Sequence, residues 1–188
     1  MIVCAGRNET FPFATSIGVG MIESAMNLTR LCLFDKPDYI LFIGSAGSYG
    51  SHNILDIVES SNASNLELSF LENNAYTPID NVLKCEEEKF KSDIIINSSN
   101  YITTNENLGK EYLQYGISAE NMEFYSVVKI AQEFEIDVKG IFVITNYTNQ
   151  NAHQDFISNH EVAMDKLIKH LETKKIIVPR GTTSTETK

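Results

Sequence analysis

Cysteine is scarce in this sequence of 188 residues. Cys4, Cys32 and Cys85 are far apart and odd in number, and no CxxC pair occurs. A disulfide framework and a structural zinc site both need cysteines that are paired at short spacing. The pattern therefore favours reduced thiols, as in the cytosol, and predicts no metal site.

Long apolar runs are missing as well. No stretch approaches the ~20 apolar residues that a membrane-spanning helix needs. The N-terminal sequence MIVCAGRNE lacks the basic segment and the long apolar segment of a signal peptide. We therefore expect a cytoplasmic protein that has no membrane partner.

Positive charge is in short supply. The 15 Lys and Arg residues are outnumbered by 25 Asp and Glu residues, which gives a formal net charge of −10. Such a chain repels duplex nucleic acid and anionic membranes, so neither is expected as a partner. A small anionic ligand is still compatible with this charge, because a few backbone N–H groups and one Arg can bind it locally.

Buried-strand patterns and helical periodicities alternate along the chain. This alternation predicts an α/β fold with a mixed, mostly parallel central sheet that is covered by helices on both faces. Strands are predicted at 2–5, 11–17, 39–43, 54–58, 93–96 and 140–145, and helices at 21–34, 108–115, 124–134 and 160–171.

The remaining segments have weaker patterns. Residues 44–50 (GSAGSYG) are predicted to form a glycine-rich loop, and 66–71 an antiparallel excursion of the sheet. No inner linker is visible, so we expect a single domain over 1–175 and a polar tail over 176–188. Within that tail, residues 178–181 (VPRG) resemble a protease-cleavage linker.

Polar clusters follow several of the predicted strands. They lie at 6–9 (GRNE), 44–47, 97–101 and from Asn146 onward. In α/β sheets, ligands bind beyond the carboxyl ends of the strands. We therefore expect these clusters to converge on one site, although the topology alone does not name the ligand.

Several motifs resemble one family when they are taken in order and at their spacing. These are GVG at 18–20, KPD at 36–38, GSAG at 44–47, NME at 121–123 and VITN at 143–146. Together they resemble the nucleoside phosphorylase and nucleosidase family, which includes purine nucleoside phosphorylases and methylthioadenosine/S-adenosylhomocysteine nucleosidases. The resemblance covers roughly residues 18–171 and implies a three-layer sandwich, with a mixed, mostly parallel central sheet flanked by helices.

The resemblance also implies a nucleoside-binding set of residues. Glu123 would accept hydrogen bonds from the ribose hydroxyls, Met122 would pack on the ribose face, and Tyr101 would stack on the purine. Each residue has a purely structural alternative. Glu123 could stabilise a helix N-terminus, Met122 could pack in the core, and Tyr101 could be an ordinary buried aromatic.

Another set of residues would face the nucleophile, which is either phosphate or water. Ser45, together with the backbone N–H groups of Ala46 and Gly47, would form an anion-binding turn. Arg7 resembles the phosphate-binding Arg of hexameric phosphorylases, and Glu9 resembles the nucleosidase Glu that activates water. The spacing of Arg7 and Glu9 departs from the family pattern. The structural alternative for the turn at Ser45 is a plain tight turn without a ligand, and the alternative for Arg7 is an ordinary exposed Arg.

The sequence departs from the family at three places. Asn146 replaces the Asp that protonates the leaving base, and an amide can only hydrogen-bond the base, which favours 6-oxopurines or indicates weakened catalysis. Phe42 stands where hexameric phosphorylases have a phosphate-binding Arg. A segment that usually carries a pair of strands is absent before residue 18, so that side of the sheet should differ.

These observations predict cleavage of the N-glycosidic bond of a purine nucleoside. Phosphorolysis is the favoured reaction, with inorganic phosphate as co-substrate and no cofactor. The alternatives are hydrolysis, a catalytically weakened nucleoside-binding member of the family, and an unrelated α/β domain with another ligand. We also expect a homodimer or higher homo-oligomer, formed through the apolar helix over 21–34.

The histidines are expected in two different environments. His153 lies in the loop after Asn146 and could reach the ligand. His160 and His170 are expected on a solvated helix face.

Overall fold

The computed structural model describes residues 1–85 and 92–178. The sequence predictions for the end of the polar tail, including most of the VPRG segment, lie outside these residues. The described part contains nine strands, and all nine belong to one sheet. The strands are β1 (Ile2–Cys4), β2 (Thr15–Ser16), β3 (Tyr39–Ser48), β4 (Ile57–Ser60), β5 (Asn62–Ser64), β6 (Val82–Leu83), β7 (Ile95–Ser98), β8 (Ala119–Asn121) and β9 (Asp137–Tyr147).

The described part of the chain contains five helices, four between strands and one after β9. The long helices are those that the sequence predicts. Three of them begin and end within two residues of the predicted bounds, whereas the last helix begins eight residues earlier than predicted, at Ala152. The helices are α1 (Gly20–Asp35), α2 (Leu68–Leu71), α3 (Glu106–Gln114), α4 (Phe124–Glu133) and α5 (Ala152–Thr173).

The long strand β3 organises the sheet. It pairs in parallel with β1 and β9, and near its carboxyl end it pairs antiparallel with β8. The sheet continues from β8 through β7 and β5 to β6, and β2 and β4 pair with β1 and β9 respectively. Five of the strand pairings are parallel and three are antiparallel. The predicted mixed, mostly parallel sheet is confirmed.

Alternate side chains of β3 enter two different cores. Ile40 and Phe42 belong to a core that includes side chains of α1 and α4. Leu41 and Ile43 belong to a second core, which includes side chains of α5. Because the side chains of a strand alternate between the two faces, helices cover both faces of the sheet. The predicted three-layer arrangement is therefore confirmed.

Helix α1 begins and ends where the sequence changes its backbone preference. Gly20 opens the helix with φ +83°, a conformation that L side chains rarely adopt. Lys36 closes it in the left-handed region with φ 45°, and Pro37 cannot continue the helix. The predicted boundaries over 21–34 are therefore nearly correct.

Several local predictions are wrong. The predicted glycine-rich loop over 44–50 is mostly strand, because β8 and β9 flank Gly47 and Ser48 of β3 and supply partners on both sides. Residues 66–71 contain the short helix α2 rather than an antiparallel excursion. Of the strand predicted over 11–17, only β2 forms, as a two-residue edge strand beyond Pro12.

Candidate active site

A cavity of about 280 Å³ opens at the carboxyl ends of β1, β3 and β9. From the first half of the chain, its wall contains Arg7, Glu9, Ser45 and Gly47. From the second half, it contains Tyr101, Met122, Glu123 and Asn146. The structure therefore brings together every residue that the sequence predicts for the site.

The Glu9 carboxylate binds Ser45 of β3, where the sequence predicted an anion-binding turn. The backbone N–H of Ser45 donates to both Glu9 oxygens, at 3.2 and 3.3 Å, and the Ser45 hydroxyl donates to Oε1. A Cβ placed on Gly44 would lie 2.6 Å from Glu9 Oε2, so this close approach requires glycine. Burial raises the pKa of the Glu9 carboxyl, although the Ser45 donors act in the opposite direction.

Arg7 turns toward the solvent from the rim of the cavity. Its side chain is 72% exposed and its Nη2 lies 3.9 Å from Glu23 Oε1. An ion pair this exposed contributes little stability and does not fix the guanidinium inside the cavity. Phe42 is fully buried in the core between the sheet and α1. Neither position presents a fixed positive charge to the cavity.

Glu123 lies where α1 and α4 both begin. It is 5% exposed, and its Oε1 accepts the Gly20 N–H of α1 at 2.9 Å. Its Oε2 accepts the Asn121 amide at 3.1 Å and the Met122 N–H at 3.2 Å. Burial raises the pKa of Glu123 to about 7, and the nearby Glu9 carboxylate acts in the same direction. The carboxylate thus caps α1 and also lines the cavity.

The predicted base-stacking and ribose-packing residues lie at different depths. Tyr101 is 81% exposed at the mouth of the cavity, so the interpretation as a buried core aromatic is wrong. Met122 is half-buried and lines the same cavity. Both side chains leave a face open to a ligand.

Asn146 holds its amide in one orientation. The Thr145 hydroxyl donates to Asn146 Oδ1 at 2.9 Å, and Asn146 Nδ2 donates to the Tyr147 carbonyl at 3.2 Å. A Cβ placed on Gly47 would lie 3.0 Å from Asn146 Nδ2, so the NH2 group lies against β3. One N–H of this group remains to donate to a ligand acceptor.

Sequence reasoning missed Glu120, a buried carboxyl on the cavity wall. It is 6% exposed and lies on β8, opposite Gly47 of β3. Its Oε1 accepts the Thr103 N–H at 2.9 Å, and its Oε2 accepts the hydroxyls of Thr103 and Tyr49 at 2.6 and 2.8 Å. Strand β8 has only three residues, too few for a periodic pattern to indicate a strand. The one sequence signal for Glu120 is its position directly before the NME segment.

The histidines of α5 differ from one another. His153 is exposed at the cavity wall, as its sequence position allows. His160 and His170 are not on a solvated face, and that prediction is wrong. His160 buries its Nε2 beside the ring of Phe156 without a hydrogen-bond partner in the described residues, and His170 Nε2 lies 3.0 Å from Glu59 Oε1.

The described residues contain neither a metal-ligating cluster nor a membrane-spanning helix. Within 1–85 and 92–178, no group of three or more His, Cys, Asp or Glu side chains could hold a metal ion. The helices in that part of the chain are all too short or too polar to cross a membrane.

The family follows from a match along most of the chain. A model of the phosphorylase superfamily matches residues 3–174. The chain belongs to the phosphorylase superfamily. No curated protein matches this chain by sequence.

Several solved structures have the same fold over nearly the whole of this chain. A Helicobacter pylori methylthioadenosine nucleosidase variant with 5′-methylthioadenosine in its active site is 16% identical, with a TM-score of 0.77, and the match covers 93% of this chain and 96% of that one. A futalosine hydrolase variant from H. pylori strain 26695 is 17% identical, with a TM-score of 0.76 and coverage of 93% and 97%. A methylthioadenosine/S-adenosylhomocysteine nucleosidase from S. pneumoniae, with a transition-state inhibitor, is 13% identical, with a TM-score of 0.73 and coverage of 90% and 95%.

Proposed function

We propose that the chain hydrolyses the N-glycosidic bond of a purine nucleoside, with water as the nucleophile. The observation that carries the proposal is the position of Glu9. Its carboxylate already accepts the N–H and hydroxyl of Ser45, a residue that the sequence assigned to the phosphate or water site. A phosphate in the same place would have to displace a buried carboxylate or lie against it.

The charges around the cavity argue against phosphorolysis, which the sequence favoured. Glu9, Glu120 and Glu123 all line the cavity, while Arg7 extends toward the solvent. Phe42 provides no positive charge at the position where the resemblance suggested one. A multiply charged phosphate would therefore meet the Glu9 carboxylate and no fixed cation, whereas a neutral water molecule is not repelled.

The proposed reaction assigns a task to each part of the cavity. Glu9 accepts a proton from the water that attacks C1′, and burial makes its carboxylate a stronger base than an exposed one. Glu123 accepts hydrogen bonds from the ribose hydroxyls, and these bonds strengthen as positive charge grows on the sugar. Tyr101 covers the purine, and the Asn146 amide hydrogen-bonds its edge.

The enzyme classes of the fold neighbours agree with this choice. Two of the three neighbours described above are nucleosidases and the third is a hydrolase, and one of them holds 5′-methylthioadenosine in its active site. Their identity to this chain is too low to transfer a substrate, so the support for hydrolysis comes mainly from Glu9.

The test is an assay of inosine, guanosine, adenosine and methylthioadenosine, each with and without phosphate. We expect free base and free sugar without any need for phosphate, and no sugar 1-phosphate when phosphate is added. Glu9→Gln keeps the shape of the side chain but removes the base, so it should lower kcat by about 100-fold or more. Turnover that requires phosphate, or a fully active Glu9→Gln variant, would contradict the proposal.

A second candidate is a nucleoside-binding protein that does not cleave its ligand. Asn146 favours it, because an amide cannot give a proton to a leaving purine. In that case calorimetry would detect binding of a nucleoside that remains intact after prolonged incubation.

A further inference from the structure

The base end of the proposed site has no proton donor at position 146. When the bond between C1′ and N9 breaks, its electron pair stays on the purine, which then needs a proton to leave as a neutral molecule. The Asn146 NH2 group can hydrogen-bond the purine but cannot transfer a proton to it. Hydrolysis of an unactivated purine nucleoside therefore requires an acid elsewhere on the cavity wall.

Glu120 is the acidic residue whose side chain approaches Asn146 across Gly47. A Cβ placed on Gly47 would lie 3.0 Å from Asn146 Nδ2 and 3.5 Å from Glu120 Cγ, so the two side chains approach the same point above β3. The strand register explains this, because Gly47 pairs with Glu120 on β8 and with Asn146 on β9. Glycine at position 47 leaves the space between them open.

The other two carboxyls of the cavity belong to other parts of it. Glu9 is bound to Ser45, at the end assigned to water. Glu123 is bound to the first N–H of α1. Of the three, Glu120 is the one whose strand pairs with the glycine beside Asn146.

The surroundings of Glu120 hold its carboxyl in place and leave one position open. Oε2 accepts two hydroxyl hydrogen bonds, but Oε1 accepts only the Thr103 N–H among the described residues, although a carboxyl oxygen can take part in two. Burial raises the pKa of Glu120, against the effect of the Thr103 and Tyr49 donors. A proton is thus more available here than on an exposed carboxyl.

We propose that Glu120 is the general acid that protonates the leaving purine, in place of the carboxyl that position 146 lacks. This inference rests on the proposed hydrolysis. The bond between C1′ and N9 breaks, its electrons pass to the purine, and the Glu120 proton moves to N7, the most basic ring nitrogen of a 6-oxopurine nucleoside. Water adds to C1′ and gives its proton to Glu9. Glu120 ends ionised and Glu9 protonated, and exchange with solvent restores both.

The test compares two leaving groups in the variant Glu120→Gln. A purine needs a proton in order to leave, whereas 4-nitrophenolate, released from 4-nitrophenyl β-D-ribofuranoside, does not. We expect kcat for the purine nucleoside to fall by about 100-fold or more, the scale of general acid catalysis. The nitrophenyl riboside should be cleaved within a few-fold of the wild-type rate, which would also show that the variant is folded and that its ribose end works.

A second variant returns a carboxyl to the neighbouring position. The double variant Glu120→Gln/Asn146→Asp should recover a substantial part of the lost purine cleavage. Glu161→Gln is the matched control, because it makes the same chemical change at an exposed carboxyl of α5 that does not line the cavity. It should leave both rates unchanged.

Two results would overturn the role of Glu120. One is near-normal purine cleavage by Glu120→Gln. The other is an equal loss of activity toward both substrates that Asn146→Asp does not restore. Failure of the proposed function looks different, because the wild-type protein would then hydrolyse neither purine nucleosides nor the nitrophenyl riboside.

Discussion

Glu9, Glu120 and Glu123 share one small cavity, yet each has its own set of donors. Glu9 accepts from one serine, Glu120 from a threonine and a tyrosine, and Glu123 from the backbone of α1 and the NME segment. Burial raises the pKa of all three carboxyls. Carboxyls with different donors at different positions can act as base, acid and ribose ligand in one reaction.

Glu123 should act on the transition state more than on substrate binding. Glu123→Gln is expected to lose roughly 2–4 kcal/mol of transition-state stabilisation, the scale of one preorganised charged partner. The measurement is kcat/KM for the preferred nucleoside. Glu133→Gln, at the exposed end of the same helix, is the matched control and should change little. Near-normal turnover by Glu123→Gln would remove this residue from the mechanism.

Asn146 should set the preference for the base. Its free N–H can donate to N7 or O6 of a 6-oxopurine, both of which are acceptors, whereas adenine presents an amino donor beside N7. Inosine or guanosine should therefore be cleaved better than adenosine or methylthioadenosine, by roughly 1–3 kcal/mol in kcat/KM. Faster cleavage of adenosine or methylthioadenosine would show that this preference is wrong. If Asn146→Asp then raises adenosine cleavage, the position itself still contacts the base.

At the residue scale, motifs predicted the candidate site better than composition or periodicity did. The NME and VITN segments identified Glu123 and Asn146, and the polar cluster after β1 identified Glu9. What the sequence could not provide was the partner of each group. The contact between Glu9 and Ser45 joins residues 36 positions apart, and it changed the favoured reaction from phosphorolysis to hydrolysis.

Among the elements, those with a long apolar or periodic pattern were predicted from the sequence. Helix α4 was recognised because its periodic pattern persists over ten residues, and the central part of β9 because residues 140–145 form a nearly continuous apolar run. Strands β5, β6 and β8 have only two or three residues each, too few for any period to show. The extension of β3 beyond Ile43 was missed because glycine and serine form a strand there only through their neighbours.

Helix α1 carries an exposed apolar stripe that we propose as the homodimer surface. Ile22, Met26 and Leu33 are 70%, 65% and 56% exposed and lie on one side of the helix at its 3.6-residue period. We expect a dimer at micromolar concentration by light scattering, and Met26→Glu should shift it toward monomer, because a charge would be buried at the contact. Ile157→Glu, at an apolar position of α5 that is 56% exposed, is the control. A monomeric wild-type protein would rule out this surface.

The whole molecule should become less stable as the pH rises. The pKa of Glu123 is about 7 in the folded protein against 4.5 for an unperturbed Glu, so the folded state binds this proton more tightly than the unfolded chain does. The resulting stability is complete below about pH 4.5 and is lost as the pH rises through about 7, a change of about 3 kcal/mol.

Urea unfolding at about pH 5 and about pH 8 measures this effect. The wild-type protein should lose more unfolding free energy over that interval than Glu123→Gln, which cannot titrate at this position. Apart from Glu9, whose carboxylate interacts with Glu123, the remaining charges contribute equally in both proteins and cancel in the comparison. Identical losses in the two proteins would mean that Glu123 keeps an ordinary pKa.

The pairing of β3 with β9 also has a consequence for the order of folding. Tyr39 pairs with Asp137, so the pairing of the two central strands closes a loop that contains much of the chain. Pairings so distant in sequence slow folding, because the entropy of loop closure is lost before the contacts form. Ser45 and Asn146 lie on these two strands, which means that a growing chain on the ribosome has no complete cavity until β9 emerges. Enzyme activity should therefore return only in the slowest phase of refolding.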